Sequence, residues 1–277
     1  MEMLGWSLLP AAIENVALFL VMGSASALLF SFAKSGFGGS IGILAVPVMV
    51  LACGRQTGLA LGLLLPMLLA ADYVAVAMWW RQWDARVVLR LVPGAVVGIG
   101  ASWAALWLLR RWDARVSEQL TDQVLKLGIG GITLLFVAIQ AAGALRGRRF
   151  EVRLTWPTIF AAGAAAGVTS TIAHAAGPIV AMYALALGLS KERYVASIAL
   201  VFWVLNHLKL PAYFHLNMIN TDALGATVLL LPAITAGAVA GLLLHRRLDE
   251  RRFAGVVYAL LALAGGGLIY QAIAAMV

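Results

Sequence analysis

The sequence predicts an all-α polytopic membrane protein of two inverted-topology repeats, about five helical segments each and eight to ten transmembrane helices in all. Three observations predict it. The 277 residues are 63% hydrophobic and only 12% charged, with a mean hydropathy of +0.95. A soluble domain is about 45–50% apolar and about 25% charged, so this chain lacks the polar residues to cover a water-facing surface. Apolar runs of roughly 20 residues, enough to cross about 30 Å of hydrocarbon, recur along the whole chain. The order of these runs repeats after about 136 residues.

The first half, residues 1–150, carries apolar segments near 12–33, 40–53, 58–80, 87–109 and 124–145. The second half, residues 151–277, carries segments near 157–173, 177–189, 194–214, 223–244 and 253–275. Polar punctuation separates them: Arg81-Gln82-Trp83-Asp84-Ala85-Arg86, the stretches 110–123 and 146–153, Lys191-Glu192-Arg193, and 245–252. No linker is long enough to separate independent domains, so the two repeats form a single transmembrane domain. Local patterns repeat with the segments. Arg111-Trp112-Asp113-Ala114-Arg115 answers to Arg247-Leu248-Asp249-Glu250-Arg251, Arg55 to Lys191, and Pro93 and Gly98, with a shift, to Pro232 and Gly237.

Each half opens with an apolar run, a small-residue interruption and a short apolar run. The interruptions are Lys34-Ser35-Gly36-Phe37-Gly38-Gly39-Ser40 and His174-Ala175-Ala176-Gly177-Pro178. Each opening pair reads either as two spans or as one re-entrant hairpin, which gives five or three crossings per half. Both counts are odd, and an odd count reverses the second half relative to the first, the arrangement common in secondary transporters.

The net charge of +8 does not read as a nucleic-acid footprint, because the bases sit in short clusters between apolar runs. Alternating sides over ten crossings places Lys34, Arg81, Arg86, Arg90, Arg146, Arg148, Arg149, Arg153, Lys191, Arg193, Arg246, Arg247, Arg251 and Arg252 together, 14 of the 20 bases. The positive-inside rule makes that face cytoplasmic and both termini periplasmic. The N-terminal stretch carries Glu2 and Glu14 and no basic n-region, so no cleavable signal peptide is expected. The single cysteine, Cys53, excludes an intrachain disulfide and reads as a small buried side chain. A barrel would show ten-residue segments of alternating polarity, and there are none.

Ionisable residues inside membrane segments cost about 2.5 to 3.5 kcal/mol on insertion scales and mark pathways or partnered sites. The candidates are Glu14, Lys34, Asp72, Arg90, His174, His207 and Lys209. Lys34 and His174 lie at corresponding interruptions. If these meet near the midplane, Gly36, Gly38, Gly39 and Gly177 let the backbone unwind, and the following short helices aim positive dipole ends into a cavity. Such a site favours an anion, with Ser35, Ser170 and Thr171 adding hydroxyls. Glycines that serve close helix packing and a lysine that snorkels to the interface are the structural alternatives. Asn206 and Lys209 share a helix face and could line the same cavity. Asp72 is either the counter-ion of a buried lysine or a proton-coupling carboxylate.

No paired-ligand spacing of the four histidines suggests a metal, and the glycines of Lys34–Ser40 do not precede the Lys-Ser/Thr of a phosphate-binding loop. No nucleophile and base pair suggests an enzyme, and no cofactor is expected.

Several of these motifs resemble the sulfite exporter TauE/SafE family, in order and over essentially the whole chain. They are Lys34–Ser40 with Leu44-Ala45-Val46-Pro47, Leu65-Pro66 ahead of Asp72, and the Arg81–Asp84 loop with Leu91-Val92-Pro93-Gly94. In the second half they are Ala173–Pro178 with Met182-Tyr183, and Asn206–Tyr213. Where the branch it resembles usually carries His-Ala-Gly-Gly-Pro-Pro, Ala176 and Ile179 stand here.

The resemblance implies a bacterial inner-membrane permease that exports small sulfur-containing anions such as sulfite or organosulfonates. The expected partners are the small anion and the bilayer, with no nucleic acid; a monomer and a homodimer are both open. A proton-coupled importer of small organic anions is the alternative within transport. A membrane-embedded assembly or maturation factor, which needs no polar cavity, is the alternative outside it.

Overall fold

A computed structural model describes residues 9–11, 13–39, 42, 45–54, 57–111, 127, 131, 134–135, 137–138, 141–142, 154–216, 218–219 and 221–274. Among them every regular element is helical, and nine helices are delimited. In the first half these are α1 (Val16–Phe37), α2 (Ala45–Ala52), α3 (Thr57–Met78) and α4 (Ala85–Arg111). In the second they are α5 (Trp156–Ala173), α6 (Gly177–Ala186), α7 (Lys191–His215), α8 (Thr221–Arg247) and α9 (Glu250–Ala274). The described positions between 127 and 142 are helical too, where the sequence expects a segment at 124–145. Ser40, Leu44, Arg55, residues 112–115 of the Arg111 motif and the bases Arg146, Arg148, Arg149 and Arg153 lie outside the described residues.

The helix ends follow from local chemistry. Asn15 caps α1, its side-chain oxygen accepting the Leu18 N–H at 2.9 Å. Thr155 and Thr158 form a reciprocal capping box on either side of Pro157 in the first turn of α5. Ser190 caps α7 by accepting from the Arg193 N–H. Among the described residues, six helices are long and apolar enough to cross a membrane: Val16–Phe37, Leu59–Met78, Ala85–Leu108, Lys191–His215, Ala223–Arg247 and Arg251–Ala274. Several turn large apolar side chains outward, as with Val21 on α1, Leu89 on α4 and Val228 on α8, which suits a hydrocarbon solvent.

Helix boundaries recur at the interval the sequence shows. Both ends of α8 lie 136 residues after the corresponding ends of α4, Ala85 to Thr221 and Arg111 to Arg247, and the last residue of α5, Ala173, lies 136 after Phe37 of α1. Packing is reciprocal as well, since α1 lies along α8 while α4 lies along α5. Glycine makes both contacts close. A Cβ on Gly36 would sit 2.8 Å from the Gly241 carbonyl oxygen across the α1–α8 contact, and one on Gly98 would sit 2.1 Å from the Ala164 oxygen across the α4–α5 contact.

The polar ends gather at one pole. The Trp79 indole stacks edge-on against His245 at 4.7 Å, the Asp84 N–H donates to Ser197 Oγ at 2.9 Å, and the Lys191 ammonium donates to the His245 and Leu248 carbonyls. These contacts bring the α3–α4 connection, the start of α7 and the α8–α9 connection together. With them come Arg81, Arg86, Lys191, Arg193, Arg246, Arg247, Arg251 and Arg252.

Two apolar cores result. One joins α4, α5, α6, α9 and the first half of α7, and the other joins α1, α2, α3 and the first half of α8. Cys53 is buried in the second core, as the sequence suggests. The interrupted pairs α1/α2 and α5/α6 meet between the cores.

Candidate functional site

The first interruption begins later than the sequence suggests. Helix α1 runs on to Phe37, so Lys34, Ser35 and Gly36 belong to its last turn and are not unwound. Gly38 ends it in the left-handed region at φ +65, and His174 ends α5 in the same region at φ +50. The residues that correspond are therefore Gly38 and His174, with Lys34 one turn earlier. Both ends close with the same six-residue bond, Gly39 N–H to the Ala33 carbonyl at 2.8 Å and Ala175 N–H to the Thr169 carbonyl at 3.0 Å. A left-handed conformation favours glycine; at Gly38 a Cβ would also press within 2.9 Å of Ile198. His174 accepts that backbone at some strain, and its ring makes the contacts described below.

A cavity opens where these ends meet, lined by Lys34, Gly39, Val46, Ser170, His174, Gly177, Asn206 and Lys209 among others. Helical spacing puts its walls together. Phe30 and Lys34 are one turn apart on α1, Leu64, Leu68 and Asp72 follow each other on α3, and Phe202, Asn206, Lys209 and Tyr213 share a stripe on α7. The first turns of α2 and α6 reach the cavity at Val46 and Gly177, so two helix N-termini, positive in partial charge, adjoin it.

Lys34 and Asp72 form a buried ion pair through Asp72 Oδ1, and the Lys34 ammonium also donates to the Leu68 carbonyl at 3.2 Å. The Asn206 side-chain amide donates to the other carboxylate oxygen, Asp72 Oδ2. Phe202 lies under the Lys34 ammonium, 5.4 Å from ring centre to nitrogen. Asp72 is therefore enclosed behind the cavity wall, both oxygens engaged.

Lys209 is equally buried and meets different partners. Its ammonium donates to the Ser170 carbonyl at 3.2 Å and faces His174 Nδ1 at 3.0 Å. Ser170 belongs to the last turn of α5, where the helix end carries partial negative charge, and its carbonyl also accepts the His174 N–H at 3.2 Å. The Tyr213 hydroxyl, one turn beyond Lys209, donates to the neighbouring Thr171 carbonyl at 2.8 Å. Two side chains of α7 thus finish the C-terminal end of α5. His174 Nε2 lies 3.2 Å from the Leu61 carbonyl of α3.

Seven of the residues expected at the site line this cavity: Lys34, Gly39, Ser170, His174, Gly177, Asn206 and Lys209. Asp72 stands behind Lys34. Ser35, Gly36, Gly38 and Thr171 are not among the lining residues. Gly36 instead makes the close α1–α8 contact, the packing role weighed above. The Thr171 hydroxyl donates to the Gly167 carbonyl of its own helix at 2.8 Å, and the Ser35 carbonyl accepts from the Trp79 indole at 2.9 Å. His207 takes a Tyr73 contact at 3.0 Å and faces the Trp203 carbonyl, tying α3 to α7. Phe30, Leu64, Leu68, Phe202 and Tyr213 were missed by the sequence reading, although each lies one helical turn from a polar candidate or from another of these residues.

A family model described as Sulfite exporter TauE/SafE matches residues 23–268 of the 277. No curated protein and no solved structure matches the chain. Among the described residues, no group of three or more histidine, cysteine or carboxylate side chains could hold a metal ion.

Proposed function

Because the chain belongs to the sulfite exporter TauE/SafE family, a family of membrane transporters, we propose that it is a multi-pass permease exporting sulfite or a small organosulfonate across a bacterial inner membrane by alternating access. The observation that carries this reading is the cavity between the two halves, walled by Lys34 and Lys209 and bordered by two helix N-termini. Ammonium groups buried inside membrane segments are costly and by default mark a pathway or a partnered site. About 30 Å³ of the cavity is open to the centre of a water molecule, room for about two waters, which suits a ligand of a few heavy atoms.

The two halves are read as inverted repeats. The matching helix boundaries and the reciprocal α1–α8 and α4–α5 contacts support this, since a two-fold relation exchanges such pairs. The pole that gathers the bases is then cytoplasmic and the termini periplasmic.

Export needs no coupling ion, because each negative charge leaving a negative cytoplasm gains about 2.3 kcal/mol per 100 mV. Proton-coupled import through Asp72 is less well supported, since Lys34 and Asn206 already hold both carboxylate oxygens. An assembly or maturation factor leaves the charged cavity unexplained.

In proteoliposomes, an imposed membrane potential without a pH gradient should drive sulfite flux. A strict requirement for a pH gradient would move the reading to coupled import, and no flux of any small anion would overturn it.

A further inference from the structure

Three side chains at the cavity carry formal charge, and their compensation is unequal. Lys34 and Asp72 form a closed pair, with Asn206 holding the second carboxylate oxygen. Lys209 has no carboxylate partner among the described residues. Its hydrogen-bond contacts are the Ser170 carbonyl at 3.2 Å and His174 Nδ1 at 3.0 Å, and the Tyr213 ring lies 5.9 Å from the nitrogen. An ammonium has three N–H groups, so one remains for a ligand.

The hydrogen-bond network assigns His174 a neutral ring. Leu61 offers only a carbonyl acceptor, so Nε2 bears the hydrogen, and Nδ1 accepts from Lys209. The C-terminal ends of α1 and α5 each bring about half an elementary negative charge to the cavity and the N-termini of α2 and α6 about half a positive one, so the helix ends offset one another and the side chains set the balance. The wall therefore holds two formal positive charges and one negative. In a water-poor cavity any leftover charge is costly, so occupancy is favoured when the ligand brings one negative charge. A doubly charged anion would overshoot.

We infer that Asp72 sets the valence of the anion: by neutralising Lys34 it leaves Lys209 as the single uncompensated cation, and the cavity selects singly charged over doubly charged oxyanions. This rests on the permease reading above and names the charge class of its substrate. Asp72 acts through Lys34 and touches no anion itself.

Methanesulfonate and sulfate test it, because both are tetrahedral sulfur oxyanions of similar size, they differ by one charge, and neither titrates near neutral pH. Binding is measured on the purified full chain in detergent, by calorimetry or by the rise in melting temperature. The wild type should hold methanesulfonate at least tenfold more tightly than sulfate. Asp72→Asn raises the formal charge of the wall by one and should shift that ratio at least tenfold toward sulfate. Val46→Lys adds a cation on the cavity wall while keeping both Lys34 and Asp72 in the sequence, and should shift the ratio the same way even if Asp72→Asn fails to fold. A wild type that prefers sulfate or treats the two alike overturns the inference, and so does a folded Asp72→Asn or Val46→Lys with an unmoved ratio. Those results leave the permease reading standing. A wild type that binds none of methanesulfonate, sulfate and sulfite removes that reading and this inference with it.

Discussion

Lys209→Gln should abolish most anion binding while leaving a folded protein. Lys209 is fully buried, lines the cavity and has no carboxylate partner among the described residues. An anion bound there gains a charge-assisted hydrogen bond in a medium that screens it poorly. Truncating one partner of such a pair costs about 2 to 5 kcal/mol, roughly 30-fold to several-thousand-fold in affinity. Glutamine keeps most of the length and an amide N–H for the Ser170 carbonyl, so the end of α5 stays capped. The check is a pair of measurements on one preparation, anion affinity and thermal unfolding. Affinity within threefold of the wild type would remove Lys209 from the site.

Lys34→Ala should act in the opposite way, mainly on stability. Its ammonium is the ion-pair partner of Asp72, and alanine would leave that carboxylate buried with Asn206 as its remaining side-chain partner. Breaking a buried pair from one side costs about 3 to 5 kcal/mol, because the surviving charge stays desolvated. Replacing both members with apolar residues, Lys34→Met with Asp72→Leu, should recover at least half of that loss, since the stranded charge is gone. Unfolding midpoints of the two variants beside the wild type decide it. A single variant as stable as the wild type would mean that the pair contributes little and that Asp72 is compensated elsewhere.

These two lysines also show what was legible in the sequence. Both stood out because a charge inside an apolar run is expensive, and that rule carries no geometry. It nominated Lys34 and Lys209 alike. Their difference arises from the pairing of α1 with α3 and of α7 with α5, contacts between segments 34 or more residues apart. Helix existence was legible from apolar length, and the interval of 136 residues from recurring punctuation. Where α1 ends was less so. A run of Lys34-Ser35-Gly36-Phe37-Gly38-Gly39 looks like a loop by composition, yet Gly36 serves a close helix contact while Gly38 and Gly39 take positive φ where the helix ends. Composition cannot tell those two uses of glycine apart. Tyr213 was within reach, because it follows Lys209 by one turn and completes the Phe202–Asn206–Lys209 stripe.

A permease of this kind holds its small oxyanion in the cavity between the two interrupted helix pairs. Selenite is close to sulfite in shape and gives a heavy-atom signal, so a crystal grown with it locates the anion directly. An anomalous selenium peak is expected within hydrogen-bond reach of the Lys209 ammonium and beside Gly177 at the start of α6. Selenium bound at any other place, with this cavity empty, would contradict it.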